Sequence, residues 1–184
     1  MLSKEKRLNN LKLANDKSHK LADKALKEAL YSMLKNKEIN EIKVTDLIKT
    51  AKVSRGTYYK HYYYLTDLLA DDLDEIIESV IFNLTPSLHT NWLMVFNKVY
   101  ECKNKLALIY KAGLSITFLK KLNEYSKSQG YKDKYVVWNG IVFNAIYNWG
   151  LNGFKKSPQE LAEEMTEITK PFFKENVKRK NSNN

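Results

Sequence analysis

The side chains best suited to binding chemistry lie close together, between positions 54 and 61. Within this stretch the chain places Arg55, Thr57, Tyr59, Lys60 and His61, and each of these side chains can donate a hydrogen bond. Donors at this density match the oxygens of a phosphate backbone, and an arginine can also fork to the edge of a guanine. The segment is therefore a candidate surface for a polyanion, duplex DNA in particular.

Two short helical patterns would hold these donors in place. Apolar residues at the spacing of one helix face predict a first helix over residues 44 to 51: Val44, Leu47, Ile48 and Ala51. Ser54 offers a hydroxyl at the N-cap of a second helix, which carries the donors. Residues 43 to 62 therefore predict a helix-turn-helix, in which the first helix positions the second in a major groove. The alternative interpretation is a solvated, aromatic-rich helical hairpin.

The same residues carry a family resemblance. The stretch from Val44 to His61, followed by Asp67-Leu68-Leu69, resembles the DNA-binding domain of the TetR (tetracycline repressor) family of bacterial regulators. Its most specific part is the run from Ser54 to Tyr59, followed after one residue by His61 and Tyr62. The likeness covers residues 18 to 78, and residues 138 to 165 are loosely similar to the C-terminal region of one TetR subgroup.

This resemblance implies a role for each position of the motif. One group would contact the DNA backbone: Thr57, Tyr59 and His61. A second group would face bases or nearby phosphates: Arg55, Gly56 and Lys60. Tyr58 and Tyr62 would be core residues. The full set expected to bind DNA is Lys43, Thr45, Ser54, Arg55, Gly56, Thr57, Tyr59, Lys60 and His61.

Four positions depart from the family pattern. Lys52 stands where the family usually has glycine, so a lysine would take the left-handed conformation of the turn at a cost of roughly 1 kcal/mol. Lys43 replaces a common Ser or Thr cap. Tyr64 and Leu65 replace an Asn or Ser followed by a phosphate-contacting Lys. Tyr63, Tyr64 or Lys43 would have to supply the missing interactions.

Positive charge is concentrated around the motif. Formal net charge is +10; residues 1 to 62 hold 15 Lys and Arg against 7 Asp and Glu, and the remaining 122 residues hold 16 against 14. This asymmetry favours a polyanionic partner, although a solvated lysine-rich surface has the same composition. Residues 1 to 17 form a basic N-terminal tail without the apolar core of a signal peptide, either disordered or an arm for the minor groove. Cys102, the single cysteine, fits a reducing cytoplasm, where we expect the protein to be.

The chain as a whole is predicted to be all-α, with about nine helices. Residues 18 to 36 carry an apolar stripe and would form the first helix of a three-helix head, the DNA-binding domain over residues 18 to 64. Residues 65 to 184 would form a helical bundle for effector binding and dimerisation. Its helices are expected near 66 to 82, 89 to 101, 104 to 112, 115 to 129, 133 to 152 and 158 to 176. The first of these carries an acidic run from Asp71 to Glu78 that DNA should repel.

A second copy of the chain is the expected protein partner. One recognition helix reads only a few base pairs, so a homodimer on a palindromic operator would double the contact. The resemblance implies an interface made by the last two helices: Trp138, Ile141, Ala145, Asn148, Trp149, Leu161, Met165, Ile168 and Phe172. Residues 135 to 154 carry no charge, so a membrane span is the rival interpretation; four asparagines in that segment favour a buried helix and no membrane.

The resemblance also implies a regulator, most often a repressor, that releases its operator when a small molecule binds the body. Aromatic residues at helical spacing would line that pocket or form ordinary core: Trp92, Phe96, Tyr100, Tyr110, Phe118 and Tyr147. The alternative is a regulator controlled by a protein partner. His19, His61 and His89 stand apart in the sequence, and no catalytic or cofactor motif appears, so we expect neither an enzyme nor a bound metal or cofactor.

Overall fold

The computed structural model describes residues 4–81, 85–130 and 134–181. In these ranges the regular structure is entirely helical, which confirms the all-α class and the expected number of helices. A short 3-10 turn, Ile39–Glu41, accompanies nine α-helices: α1 Lys4–Leu34, α2 Val44–Ala51, α3 Arg55–Tyr59, α4 Leu65–Ile81, α5 Leu88–Glu101, α6 Lys103–Lys111, α7 Ser115–Ser128, α8 Lys134–Leu151 and α9 Pro158–Asn181. The predicted helix limits at residues 82 and 133 lie outside the described residues.

The chain divides into two compact units, Met1–Asp71 and Asp72–Asn184, and the boundary falls inside α4 rather than at residue 64. In the first unit, α1 packs on α2, and α2 on α3. The centre of this unit is apolar and fully enclosed: Leu26, Leu30, Leu34, Leu47, Tyr58, Leu68 and Leu69. A core of this kind makes the helix-turn-helix motif part of a folded three-helix head.

Helix α1 begins much earlier than its apolar stripe predicts. It starts at Lys4 and runs for 31 residues, so most of the expected N-terminal tail is helical. The physical reason is intrinsic propensity, because residues 4 to 17 include many Lys, Leu and Ala and contain neither glycine nor proline. Leu8 and Leu13 are exposed, which shows why no amphipathic pattern marked this part of the helix.

In the second unit, α5 packs against α9 and α7 against α8. Buried polar groups at both seams are hydrogen-bonded. The Trp92 indole N–H donates to the Thr169 hydroxyl over 3.0 Å, joining α5 to α9. The Asn139 amide on α8 donates to Leu122 O at 3.2 Å and Ser126 Oγ at 2.8 Å on α7. Satisfied polar groups of this kind fix the register of neighbouring helices.

The acidic residues of α4 are only partly available to repel DNA. Asp72 is 1% exposed, and its carboxylate lies 2.9 Å from the Lys105 ammonium. The exposed Asp74 carboxylate pairs with Lys121 at 2.6 Å. The sequence pattern treated this run as one solvated cluster, whereas two of its members balance lysines of the same unit.

Helix α9 begins at Pro158, as predicted from the Ser157-Pro158 pair. Ser157 and Glu160 form a reciprocal cap, because Ser157 Oγ accepts from the Glu160 N–H at 3.2 Å and Glu160 Oε2 accepts from the Ser157 N–H at 2.8 Å. Hydrogen bonds from the Ser157 side chain and backbone lower the pKa of Glu160. The start of α9 is therefore fixed by local contacts alone.

Helix α8 occupies most of the uncharged segment that raised the question of a membrane span. Across the parts of the chain that the structure covers, no helix has both the length and the apolarity needed to traverse a bilayer.

Candidate nucleic-acid interface

Ser54 fixes the start of α3 through its own side chain. Its backbone is extended, and Ser54 Oγ accepts a hydrogen bond from the Thr57 N–H over 3.0 Å. The hydroxyls of Ser54 and Thr57 lie 2.8 Å apart and form a further hydrogen bond. The serine predicted as the N-cap therefore has that role, and it also orients the Thr57 side chain.

Buried tyrosines hold the other side of α3. Tyr58 is fully enclosed, and burial, followed by the charge of Asp67, raises its pKa to about 12. Tyr62 is buried as well, and its hydroxyl donates to the Asp23 carboxylate on α1. Both residues are core, as predicted. Together they present the opposite face of the motif to solvent.

That opposite face carries the candidate DNA-binding residues. Eight of the nine are exposed and one, Thr57, is half-buried against Ser54: Lys43, Thr45, Ser54, Arg55, Gly56, Thr57, Tyr59, Lys60 and His61. The Arg55 guanidinium lies 5.4 Å from the centroid of the Tyr59 ring, so these two side chains are held together. The structure thus brings the set onto the motif and leaves its donors accessible.

Gly56 has no packing reason to be glycine. A Cβ built at this position would meet only Ser54 Oγ, at 3.9 Å, and the backbone is that of an ordinary α-helix. Alanine would fit and would favour the helix more, by up to about 1 kcal/mol. The absence of a side chain is therefore unexplained within the chain, and it leaves the backbone of α3 open to close approach by another molecule.

The turn between α2 and α3 adopts the conformation that the family pattern gives to glycine. Lys52 has φ 55° and ψ 37°, and the Val53 N–H donates to Ile48 O over 3.0 Å, which closes α2. A lysine therefore occupies a left-handed position, as expected from the departure at this residue. The cost falls on folding and not on the exposed donors.

The start of α4 is capped by a residue that the sequence pattern did not indicate. Asp67 Oδ2 accepts from the backbone N–H groups of Tyr63 and Tyr64, at 2.9 and 2.8 Å. This carboxylate, three residues after the position of the missing cap, satisfies donors that would otherwise be unpaired. Tyr63 and Tyr64 are 79% and 71% exposed, so their phenols extend from the end of the motif into solvent.

His61 is not isolated, although the three histidines lie far apart in sequence. Its ring stacks on that of His19 on α1, with 3.7 Å between centroids and 23° between planes. Desolvation, together with the charges of His19 and Lys60, lowers the pKa of His61, and Asp23 opposes this shift. The expected phosphate contact therefore lies beside α1. No sequence signal pairs these residues, which are 42 positions apart.

A second surface lies along α8 and α9. An open, mainly apolar groove of about 780 Å³ is bordered by six residues predicted for the dimer interface: Ile141, Ala145, Asn148, Trp149, Leu161 and Met165. Ile168 and Phe172, further along α9, are exposed. Trp138 instead packs on Trp92, with ring centroids 5.0 Å apart. The groove and exposed residues form one apolar surface, here called the α8/α9 surface.

The six aromatic residues expected around an effector pocket are placed differently. None of them borders either of the two grooves that the structure describes. Trp92, Phe96 and Phe118 are fully buried, and Trp92 stacks on Phe96 at 5.3 Å. Tyr110 contacts both Phe118 and Tyr147, while Tyr100 stacks on Trp149. Their packing is that of core aromatics, the alternative open from the sequence.

No protein-family model matches the chain, and no curated protein matches it significantly.

Proposed function

We propose that this chain is a DNA-binding transcription regulator of the TetR type, a repressor that binds a palindromic operator as a homodimer. The single observation that carries the proposal is the exposed face of α3. There, Arg55, Lys60 and His61 are accessible on a helix whose other face is anchored by Tyr58. A short, rigidly held helix with exposed donors is what major-groove reading requires.

Gly56 supports the same proposal independently. A glycine that packing within the chain does not require, flanked by donors, suits a backbone that must approach phosphates closely. The positive charge of the first 62 residues would attract the duplex before contact. These features point to phosphate positioning by several side chains and to base contacts by few.

Dimerisation would occur through the α8/α9 surface. Exposed Ile168 and Phe172 beside an apolar groove leave unburied surface that a second copy of the same two helices would cover. A two-fold pair of heads then accounts for a palindromic target. Release of the operator would follow from an effector that favours another head spacing, either a small molecule or, as the alternative, a protein partner.

The experiment is a salt titration of binding to duplex DNA, followed by fluorescence anisotropy. Wild-type affinity should fall linearly with the logarithm of salt concentration, and the Lys60→Ala variant should lose about 0.9 from the slope, as for one phosphate contact. The matched control is Lys127→Ala, which removes an exposed lysine from α7 and should keep the wild-type slope. Wild-type binding that is absent, or equally affected by both substitutions, would refute the proposal.

A further inference from the structure

Helix α1 extends well beyond the three-helix head. His19 is the residue of α1 that stacks on His61, and fifteen residues of continuous helix precede it, back to Lys4. At 1.5 Å per residue this segment is about 22 Å long. Residues 4 to 18 are here called the α1 extension.

The α1 extension has no packing role within its unit. All the side chains from residue 6 to residue 18 that the structure describes are exposed. The buried residues of α1 begin only at Leu26. A helix that is polar on every side is maintained by propensity or by a partner, since it buries no apolar face.

The charge of the α1 extension suits a polyanion. It contains five Lys and Arg against two Asp and Glu. Arg7, Lys12 and Lys17 lie on different sides of the helix, because successive residues turn by 100°. Any side that meets a row of phosphates would therefore present a cation.

Position selects duplex DNA as the polyanion. The α1 extension leads away from the contact between His19 and His61, and His61 is a residue expected to contact the DNA backbone. A segment of about 22 Å corresponds to about six base-pair steps at 3.4 Å per step. It is long enough to follow the phosphates next to the half-site that α3 would read.

We propose that the α1 extension is a second DNA-contact surface, which binds the phosphates flanking each half-site without reading their sequence. This inference rests on the proposed function, because it needs α3 to place the head on a duplex. It predicts a longer footprint and a steeper salt dependence than the helix-turn-helix motif alone would give.

The test compares the wild-type protein with the triple variant Arg7→Gln, Lys12→Gln, Lys17→Gln. Glutamine has nearly the helix propensity of lysine and arginine, so helix content by circular dichroism should be unchanged. The matched control is Lys98→Gln, Lys120→Gln, Lys127→Gln, which removes the same charge from exposed positions of α5 and α7. Each protein is titrated with salt on two duplexes: a selected operator with long flanks, and the same operator trimmed to its half-sites.

On the long duplex, the slope of log affinity against log salt should be smaller in the triple variant by about 0.9 for each of one to three lost contacts. On the trimmed duplex the difference should disappear, and the control should match the wild type on both. Hydroxyl-radical footprints should also lose their flanking protection in the triple variant only.

Equal slopes for the wild type and the triple variant on the long duplex would overturn the inference while leaving the proposed function intact. An equal change in the control would also overturn it, by assigning the effect to net charge. If the wild type bound neither duplex, the proposed function would fail, and this inference with it.

Discussion

The ring of His61 lies on the ring of His19, 3.7 Å from centroid to centroid, and this contact joins the end of the DNA-binding motif to α1. Two stacked imidazoles disfavour a second proton, since protonating both places like charges in contact. The lowered pKa of His61 has this as one of its causes, after desolvation. The contact therefore links proton binding to any interaction that places an anion beside His61.

DNA affinity should consequently rise as pH falls from about 8 to about 6. In the free protein, His61 holds its proton less tightly than an ordinary histidine, and an adjacent phosphate favours the imidazolium, so binding DNA takes up a proton. The measurement is anisotropy at constant ionic strength across this range. The His61→Gln variant should show a flatter pH profile, and a profile as steep as that of the wild type would contradict the assignment.

The pH dependence of stability should have the opposite sign. Because the pKa of His61 is lower in the folded protein than in the unfolded chain, the unfolded chain binds more protons as pH falls through about 6.5. The free energy of unfolding should therefore decrease in that range, by an amount that His61→Gln reduces.

Substitution of Gly56 by alanine should separate folding from binding. The free energy of unfolding should increase by up to about 1 kcal/mol, because the added methyl group meets only Ser54 Oγ at 3.9 Å and alanine favours a helix. DNA affinity should decrease, because the methyl group would stand between the α3 backbone and the duplex. Urea denaturation and anisotropy measure the two effects. A more stable variant with undiminished affinity would show that nothing approaches the backbone at Gly56.

Lys52→Gly should stabilise the protein without changing DNA affinity. The left-handed conformation at φ 55° costs a lysine about 1 kcal/mol that glycine does not pay, and the greater freedom of glycine in the unfolded chain offsets part of this gain. Lys49→Gly is the matched control, three residues earlier inside α2, and should destabilise by up to about 1 kcal/mol. Urea denaturation should therefore give shifts of opposite sign, and shifts of the same sign would rule out strain at Lys52.

A charge in the α8/α9 groove should separate the subunits. Ile141→Glu would place a carboxylate at a seam that a second copy covers, and burying an unpaired charge costs several kcal/mol. Sedimentation velocity should show a monomer, and affinity for a palindrome should fall to that for a half-site. Ile116→Glu, at a 67% exposed position of α7, is the control and should leave the assembly unchanged. A dimeric Ile141→Glu variant would place the interface elsewhere.

Local patterns were enough to predict most helices. Val44, Leu47 and Ser54 marked the limits of the motif, and Pro158 marked the start of α9, because caps, turns and apolar periodicity act over a few residues. The position of Lys52 in a left-handed turn also followed from local sequence.

Features that depend on distant residues or on the absence of a signal could not be predicted. The contact between His19 and His61 depends on how α1 packs, and Asp72 gave no sign that it would be buried with Lys105. The extent of α1 was missed because its first turns have propensity without periodicity. The role of Asp67 had a signal, an acidic residue at the third helical position, but the expected cap position drew attention away from it.

Selection of bound duplexes from a random DNA pool tests the central claim most directly. The account predicts an enriched palindrome whose half-sites are centred about 34 to 36 Å apart or at a multiple of that distance. It also predicts that Arg55→Ala relaxes the choice at one base pair per half-site, by about 1 to 3 kcal/mol, with the other positions retained. A pool that shows no enriched sequence after selection by the wild-type protein would contradict the account.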